Sequence, residues 1–212
     1  MSPARKRLRL KDPLRYERSW WERGVLTVAG ADVVGRGPLA GPVVAAAVVL
    51  PPGLHLREVA DSKMLGAEVR SDLACLIREQ AAAIGIGAGS AREIDRLGIT
   101  AATRLAFQRA LAHLGGEPGH LVIDGRPVKD LGWKHAGVIK ADYRVHCVAC
   151  ASILAKVCRD ELMDRLARRY PRYGWEHNRG YGTEDHRAAL ARFGASPHHR
   201  VSFAGVRPLN PA

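Results

Sequence analysis

Residues 27–44 read TVAGADVVGRGPLAGPVV. An apolar run that carries one acid, Asp32, enters a Gly35-Arg36-Gly37 turn and then resumes as a second apolar run. The pattern predicts two buried strands joined by a glycine-rich turn. A carboxylate at the end of a buried strand, beside an arginine, is suited to holding a cation against a phosphate.

The rest of the chain alternates between strand-like and helix-like patterns. Period-2 and apolar runs predict strands over residues 25–33, 41–50, 81–89, 120–123 and 137–140. Helical spacing of apolar residues predicts helices over residues 67–80, 91–96, 100–114, 144–169 and 184–193. No repeat or long linker divides these elements, so we expect a single α/β domain with helices on the faces of one sheet.

The charge of the chain favours a polyanionic partner. Thirty-three Lys and Arg against 21 Asp and Glu give a formal net charge of +12, which indicates nucleic acid, although a merely soluble basic protein is the alternative. Residues 1–22 are rich in Arg and Lys and are predicted to form a flexible basic arm, either contacting phosphates or simply solvated. The folded domain is expected over residues 23–207, followed by a tail at 208–212.

Two further features narrow the class of protein. No apolar run approaches the roughly 20 residues that a membrane span requires, and the N-terminus lacks the apolar core of a secretory signal; we therefore expect a cytoplasmic protein without membrane contacts. Cys147 and Cys150 form a C-x-x-C motif, but no second pair follows it at metal-binding spacing. Both are expected to be core residues of a helix.

Three acids, Asp32, Asp124 and Asp142, stand at the ends of or within predicted strands. Any one of them alone is typical of a turn or capping aspartate. Together, in a basic chain, they indicate a site for a hard cation, since carboxylate oxygens suit Mg²⁺ or Mn²⁺ and leave room for a substrate phosphate.

The long predicted helix carries a possible phosphate-binding face. Ser152, Lys156 and Arg159 are spaced by four and then three residues, so they share one side of the helix. An ordinary solvated face is the alternative, but Asp142 lies just before this helix and ties the face to the predicted cation site.

Seven segments, in order along residues 25–205, resemble the motifs of type 2 ribonuclease H, the ribonuclease HII family. They are AGADVVGRGPLAGPVVAAAVVL, DSKML, EIDRLGI, LVIDG, KADYRVHCVACASILAKVCRDELM, YPRYGWEHNRGYGTEDH and HHRVSF. The resemblance implies a ribonuclease H-like fold with a mixed central sheet and helices on both faces. It also implies a monomeric endonuclease that cuts the RNA strand of RNA/DNA hybrids and cuts 5′ of single ribonucleotides in duplex DNA by two-metal catalysis.

The resemblance assigns roles to individual residues. Asp32, Asp124 and Asp142 match three of the four acidic ligands of Mg²⁺ or Mn²⁺ in the family. The Gly35-Arg36-Gly37 turn matches the loop whose backbone reads the 2′-hydroxyl at the RNA–DNA junction, and Tyr181 matches the tyrosine that stacks near the next ribose. The residues expected to position phosphates are Ser62, Lys63, Lys140, Ser152 and Lys156.

The chain departs from the family pattern at three positions. Val33 stands where the family has the glutamate that supplies the fourth ligand, Ala141 replaces a glycine, and Met64 replaces a common lysine. A bend of the strand would put Val33 in the site, whereas a regular strand would turn it to the opposite face. Asp61 and His146 remain open as substitute ligands.

Loss of one carboxylate ligand predicts cleavage slower by about two to four orders of magnitude. Hybrid binding is expected to be largely kept. A weak or inactive hybrid-binding protein is therefore the alternative, and a DNA-strand nuclease without junction selectivity is a weaker one.

Overall fold

A computed structural model describes residues 12–59 and 66–206. Its five strands are β1 Val28–Val34, β2 Val43–Val49, β3 Ala83–Gly89, β4 His120–Asp124 and β5 Ala136–Val138. They form one sheet in the order β3-β2-β1-β4-β5. The neighbours β1–β2 and β2–β3 run antiparallel, and β1–β4 and β4–β5 run parallel. The sheet is therefore mixed, as expected.

Helices cover both faces of this sheet. The helices are α1 Arg15–Trp21, α2 Ala67–Gln80, α3 Ala91–Leu97, α4 Ile99–Ala112, α5 His146–Arg169, α6 Trp175–Asn178 and α7 Glu184–Phe193. One face of the sheet packs against α2 and α5 and buries Val48, Val122 and Ile153 among others. The other face packs against α3 and α4 and buries Ile94 and Phe107. This arrangement confirms the predicted α/β class.

The sequence of the central strands explains why the helices approach them so closely. Every residue of β2 is a buried Val or Ala, which is typical of a strand covered on both faces. In β3, a Cβ atom on Gly85, Gly87 or Gly89 would collide with backbone carbonyl oxygens of α4. The glycines of this strand are thus required by the close passage of a neighbouring backbone, as the sequence predicted.

The N-terminal segment differs from the prediction of a flexible arm over residues 12–22. Residues Arg15–Trp21 form α1, and Tyr16, Trp20 and Trp21 pack against the core on the α5 side of the sheet. The buried Glu17 accepts a hydrogen bond from the backbone N–H of Cys147 at 2.9 Å, near the start of α5. Apolar contacts and this bond outweigh the basic composition; residues 1–11 and 207–212 lie outside the described residues.

Among the described residues, none of the helices combines the length and the apolar character that crossing a bilayer would need. The two cysteines of the C-x-x-C motif, Cys147 and Cys150, are buried in α5, and burial raises the pKa of both thiols. They lie in the core, as the sequence predicted.

Candidate functional site

Asp32 and Asp124 lie side by side at the ends of two parallel strands. The register between β1 and β4 pairs Ala31 with Ile123, so Asp32 and Asp124 occupy the next positions along. A Cβ atom on Gly30 would press into the backbone of α5. Since residues two apart share a face, Asp32 points to the α5 side, and Asp124 does the same because Val122 packs in the core on that side.

Asp142 is brought beside Asp124 by a backbone hydrogen bond. It lies in a single 3-10 turn, Ala141–Tyr143, that follows β5. The N–H of Ala141 donates to Oδ1 of Asp124 at 2.6 Å. The carboxyl ends of β1 and β4 and this turn therefore place all three predicted acids at one edge of the sheet, each only partly exposed.

The three carboxylates have the oxygen ligands and the location that a hard divalent cation needs. Oxygen ligands on neighbouring strand ends fit Mg²⁺ or Mn²⁺. Within residues 12–59 and 66–206, however, no three His, Cys, Asp or Glu side chains are already arranged as a cation cage. Oδ1 of Asp32 accepts from the N–H of Val33 at 2.7 Å, and Oδ1 of Asp124 is bound to Ala141. These bonds occupy one oxygen of each carboxylate, and a carboxylate has a second oxygen that can ligate a cation.

Val33 does not project into this site. Regular antiparallel pairing continues through Val33↔Ala45 and Val34↔Val44, without the bend that would bring two successive side chains to one place. The half-buried side chain of Val33 packs against the core on the α4 side, opposite Asp32. The expectation of an apolar side chain in the site itself is therefore wrong for this conformation, and the regular-strand alternative holds.

Ala141, which replaces the family glycine, and His146, the possible substitute ligand, both have structural explanations. Ala141 is fully buried, and the left-handed backbone conformation falls on the preceding Lys140, with φ 57°, rather than on Ala141. Glycine's freedom is thus not needed at residue 141. His146 is buried and its Nε2 accepts from the N–H of Leu56 at 3.0 Å; burial, with a smaller effect of His55, lowers its pKa to about 4. It has a structural role, which argues against a substitute ligand.

The Gly35-Arg36-Gly37 turn, here called the GRG loop, follows β1 directly. Arg200 lies buried beneath it and binds its backbone carbonyls. The guanidinium of this fully buried residue donates to the carbonyl of Gly35 at 2.6 Å and to that of Arg36 at 3.0 Å. It also donates twice to the carbonyl of Gly41, at 3.0 and 2.9 Å. Burial, reinforced by the nearby Arg159, lowers the pKa of Arg200 to about 9, so it remains a cation at neutral pH.

Arg159 supports the same loop and is not a phosphate contact. The sequence placed it on an exposed face of the long helix, but it is fully buried. It donates to the carbonyls of Pro42, Arg179 and Ala40 at 3.0, 3.0 and 3.2 Å. Gly35, with φ 86°, has no room for a side chain because a Cβ atom there would collide with Arg159.

The other two residues of that helix face remain partly exposed. Lys156 forms an ion pair with Asp160 at 2.6 Å, and Ser152 lies one turn before it. Lys140 is exposed at the edge that carries Asp142. The remaining predicted phosphate contacts, Ser62 and Lys63, and also Asp61 and Met64, lie outside the described residues.

Tyr181 lies beside the GRG loop. Its ring is 46% exposed and stands 4.0 Å from the position that a Cβ atom of Gly37 would take. The Arg159 guanidinium lies 5.9 Å from the centre of the same ring. Loop and tyrosine together form a small exposed surface next to the three acids.

A buried pair of histidines fixes the backbone at Tyr181. His186 Nδ1 lies 2.8 Å from the carbonyl of Tyr181, and its Nε2 accepts from the indole N–H of Trp175 at 3.1 Å. His199 Nδ1 accepts from the N–H of Ser196 at 2.8 Å, so its Nε2–H can donate to His186 Nε2 at 3.0 Å. This pattern needs both rings neutral, and burial lowers the pKa of both, that of His199 to about 4.

Sequence reasoning missed the supports of the loop. Arg200 lies in the HHRVSF segment, which was quoted only as a motif, and nothing in its composition marks an arginine as buried. The separation of 165 residues between Arg200 and Gly35 also lies beyond any local pattern.

The mixed sheet, with acids at the edge where the strand and loop of residues 28–37 meet, defines a ribonuclease H-type nuclease. The structure of ribonuclease H2 from Pyrococcus horikoshii OT3 superposes with a TM-score of 0.75 at 25% identity, covering 85% of this chain and 95% of that one. Bst-RNase HIII in complex with Mn²⁺ shares the fold, with a TM-score of 0.70 at 22% identity over 86% of this chain and 68% of that one.

Sequence comparison gives the particular family. The family described as Ribonuclease HII matches residues 29–206, and the ribonuclease HII of Synechococcus sp. (strain JA-3-3Ab) is 51% identical over 92% of this chain and 90% of its own length. The chain belongs to the ribonuclease HII family, which comprises endoribonucleases that act on the RNA strand of RNA/DNA hybrids.

Proposed function

We propose that this protein cuts RNA/DNA hybrids and also cuts 5′ of a single ribonucleotide embedded in duplex DNA, acting as a monomer. The products are a 5′-phosphate and a 3′-hydroxyl, formed by two-metal hydrolysis. The observation that carries the proposal is the course of β1. It bears Asp32 and runs into Gly35 three residues later, so Asp32 and the GRG loop lie within about 10 Å of each other along the chain.

With this spacing, the loop and the acids would contact neighbouring groups of one substrate strand. A 2′-hydroxyl held by the loop backbone would leave a neighbouring phosphate facing Asp32, Asp124 and Asp142. Tyr181 would stack against the next ribose and so recognise the change from RNA to DNA. Because the 2′-hydroxyl is what separates the two nucleic acids, a glycine-rich backbone that can approach it closely explains the selectivity.

The protein's own residues divide the work. Asp32, Asp124 and Asp142 would hold the cations; bound Mg²⁺ or Mn²⁺ would supply activation of the attacking water and stabilisation of the leaving oxygen. Lys140 and Lys156 offer positive charge to the phosphates on either side, and Ser152 offers a hydroxyl. Lys156 is paired with Asp160, so it would exchange that partner for a phosphate on binding.

Val33 is proposed to limit the rate. The family glutamate adds a charge and a ligand that valine cannot replace. Regular pairing turns residue 33 away from Asp32 in this conformation, so a glutamate here would join the cation ligands only if the strand bent. Because valine supplies neither a charge nor an oxygen, we expect slow cleavage with substrate binding intact.

A cleavage assay tests the proposal. The protein is incubated with duplex DNA containing one ribonucleotide, with Mg²⁺ or Mn²⁺, alongside Val33→Glu and an all-DNA duplex as the control substrate. We expect cuts 5′ of the ribonucleotide only, and faster cutting by Val33→Glu by about two orders of magnitude. Equal rates for the two proteins would refute a limiting role for residue 33.

The alternative is a protein that binds hybrids without cutting them, which the absence of the family glutamate favours. Binding of the ribonucleotide duplex by fluorescence anisotropy, with no product after prolonged incubation and restored cutting by Val33→Glu, would support this alternative. Failure of both proteins to bind or cut would refute both functions.

A further inference from the structure

We propose that Arg200 is a positioning residue that sets which way the peptide groups of the GRG loop face, and so gives the loop its ability to read a 2′-hydroxyl. The inference rests on the proposed function. Arg200, buried beneath the loop, would thus determine the direction of the backbone N–H groups on the loop's surface.

The argument begins with the geometry of a trans peptide. The carbonyl of one residue and the N–H of the next point in opposite directions, and the described residues contain no cis peptide bond. Arg200 binds the carbonyls of Gly35 and Arg36. The N–H groups of Arg36 and Gly37 must therefore point away from the guanidinium.

These two N–H groups are donors without a hydrogen-bond partner elsewhere in the described part of the chain. Arg36 and Gly37 are exposed, and the Tyr181 ring stands next to Gly37. Two adjacent amides facing outward beside an exposed ring are suited to a ligand oxygen at the ring's edge. The 2′-hydroxyl of a ribose is such an oxygen: it can accept a hydrogen bond from one amide while the sugar carbons lie against the ring.

Arginine is the residue type that this task needs. Its planar fork carries five N–H donors in fixed directions, and at Arg200 three of its nitrogens donate to the carbonyls of Gly35, Arg36 and Gly41. A lysine at this position would keep the charge but could not hold two successive carbonyls in one plane. The carbonyls could then rotate, and the amides would rotate with them.

The chain offers a matched comparison in Arg159. It is equally buried, and it too donates only to backbone carbonyls among its hydrogen bonds to described residues, but these belong to Ala40, Pro42 and Arg179. Replacing Arg159 removes a buried fork without touching the carbonyls of Gly35 and Arg36. Comparing the two substitutions therefore distinguishes the effect of losing a buried guanidinium from the effect of losing the orientation of the loop peptides.

The experiment measures the ratio of dissociation constants for two duplexes that differ in one 2′-hydroxyl, one all-DNA and one with a single ribonucleotide. The proteins are the unmodified chain, Arg200→Lys and Arg159→Lys. We expect Arg200→Lys to lose about tenfold of the preference for the ribonucleotide. Arg159→Lys should lose less, about threefold, because Arg159 contacts Gly35 and the Tyr181 ring but binds neither loop carbonyl. An unchanged preference in folded Arg200→Lys would overturn the inference, as would an equal loss in both variants.

A second measurement uses the unmodified protein and does not depend on either variant folding. Amide hydrogen exchange should be fast at Arg36 and Gly37 in the free protein and slow after addition of the ribonucleotide duplex, with no change on addition of the all-DNA duplex. Slow exchange at both amides before any duplex is added would show that they face inward and would overturn the inference. If the unmodified protein shows no preference for the ribonucleotide, the proposed function fails; a preference without this exchange pattern defeats only the role of Arg200.

Discussion

The acid edge, formed by Asp32, Asp124 and Asp142, and the GRG loop are neighbours that are built in opposite ways. Two of the carboxylates accept hydrogen bonds from the backbone amides of Val33 and Ala141, and none is part of a closed cage within the described residues. The loop is held by forked hydrogen bonds from fully buried arginines.

The difference separates recognition from chemistry. A loop whose carbonyls are fixed before substrate arrives loses little entropy on binding. An acid edge that has yet to gather its carboxylates depends on cations to supply the attraction between them. Substitutions at the acid edge should therefore change the rate of cutting, and substitutions at the loop should change binding and stability.

The largest effect is expected at the acid edge. Asp124→Asn keeps an Oδ1 acceptor for the N–H of Ala141 but removes the charge, so the local structure should persist while cation binding fails. Measured in the Val33→Glu chain, cleavage should fall by about three orders of magnitude. Duplex binding without divalent cations should stay within about threefold. A large loss of that binding would show that the acid edge also builds the binding surface.

The next effect is expected in the loop. Gly35→Ala places a Cβ at φ 86°, against Arg159 and 2.8 Å from the carbonyl oxygen of Pro42. It should lower the free energy of unfolding by about 3 kcal/mol. Gly24→Ala is the control, since φ there is 82° but nothing lies within 4 Å, and it should cost about 1 kcal/mol. Urea unfolding measures both, and equal costs would mean that the loop can move off its supports.

Acid is expected to loosen both regions through buried histidines. Burial holds the pKa of His146, near the acid edge, and of His199, near Tyr181, at about 4, against about 6.5 in an unfolded chain. The unfolded state therefore takes up protons first. The stability from each histidine is fully present above pH 6.5 and is lost, by up to about 3 kcal/mol, as the pH falls toward 4.

Variants isolate this effect from other titrating groups. Burial raises the pKa of Glu17, which changes stability in the opposite direction, so the slope of unfolding free energy against pH is compared between proteins. His146→Gln and His199→Gln should each lower the slope between pH 5 and 6 by about one proton. No change in either slope would show that these rings are protonated in the folded protein.

The smallest effect is expected at Ala141. Its backbone does not adopt the left-handed conformation, so restoring the family glycine gives no geometric benefit. Ala141→Gly should change the cleavage rate by less than about twofold and lower stability by about 1 kcal/mol, the usual cost of added backbone freedom. A tenfold gain in cleavage would show that the methyl group displaces Asp142 after all.

The sequence predicted those features that depend on short segments of the chain. The helical spacing of apolar residues placed α2 and α7 at their observed bounds, and the alternation of strands and helices predicted the α/β class. The three acids were found because each stands in or just after an apolar strand pattern, and their roles in the reaction are predictions.

What the sequence could not supply depends on contacts between distant segments. Whether Val33 shares a face with Asp32 is decided by pairing with β2, and a motif match cannot reveal it. The basic composition of residues 12–22 hid a helix that docks through Trp20 and a buried Glu17. Arg159 was placed on a surface because helical spacing does not say what covers the helix.

The distance along the chain between the loop and its support has a consequence for biosynthesis. Gly35 emerges from the ribosome 165 residues before the guanidinium that fixes its carbonyl, whereas the hairpin of β1 and β2 can pair soon after it is made. During translation the loop therefore exists for most of the time without its support. Recognition of ribonucleotides should therefore arise late in synthesis, when Arg200 docks beneath the loop.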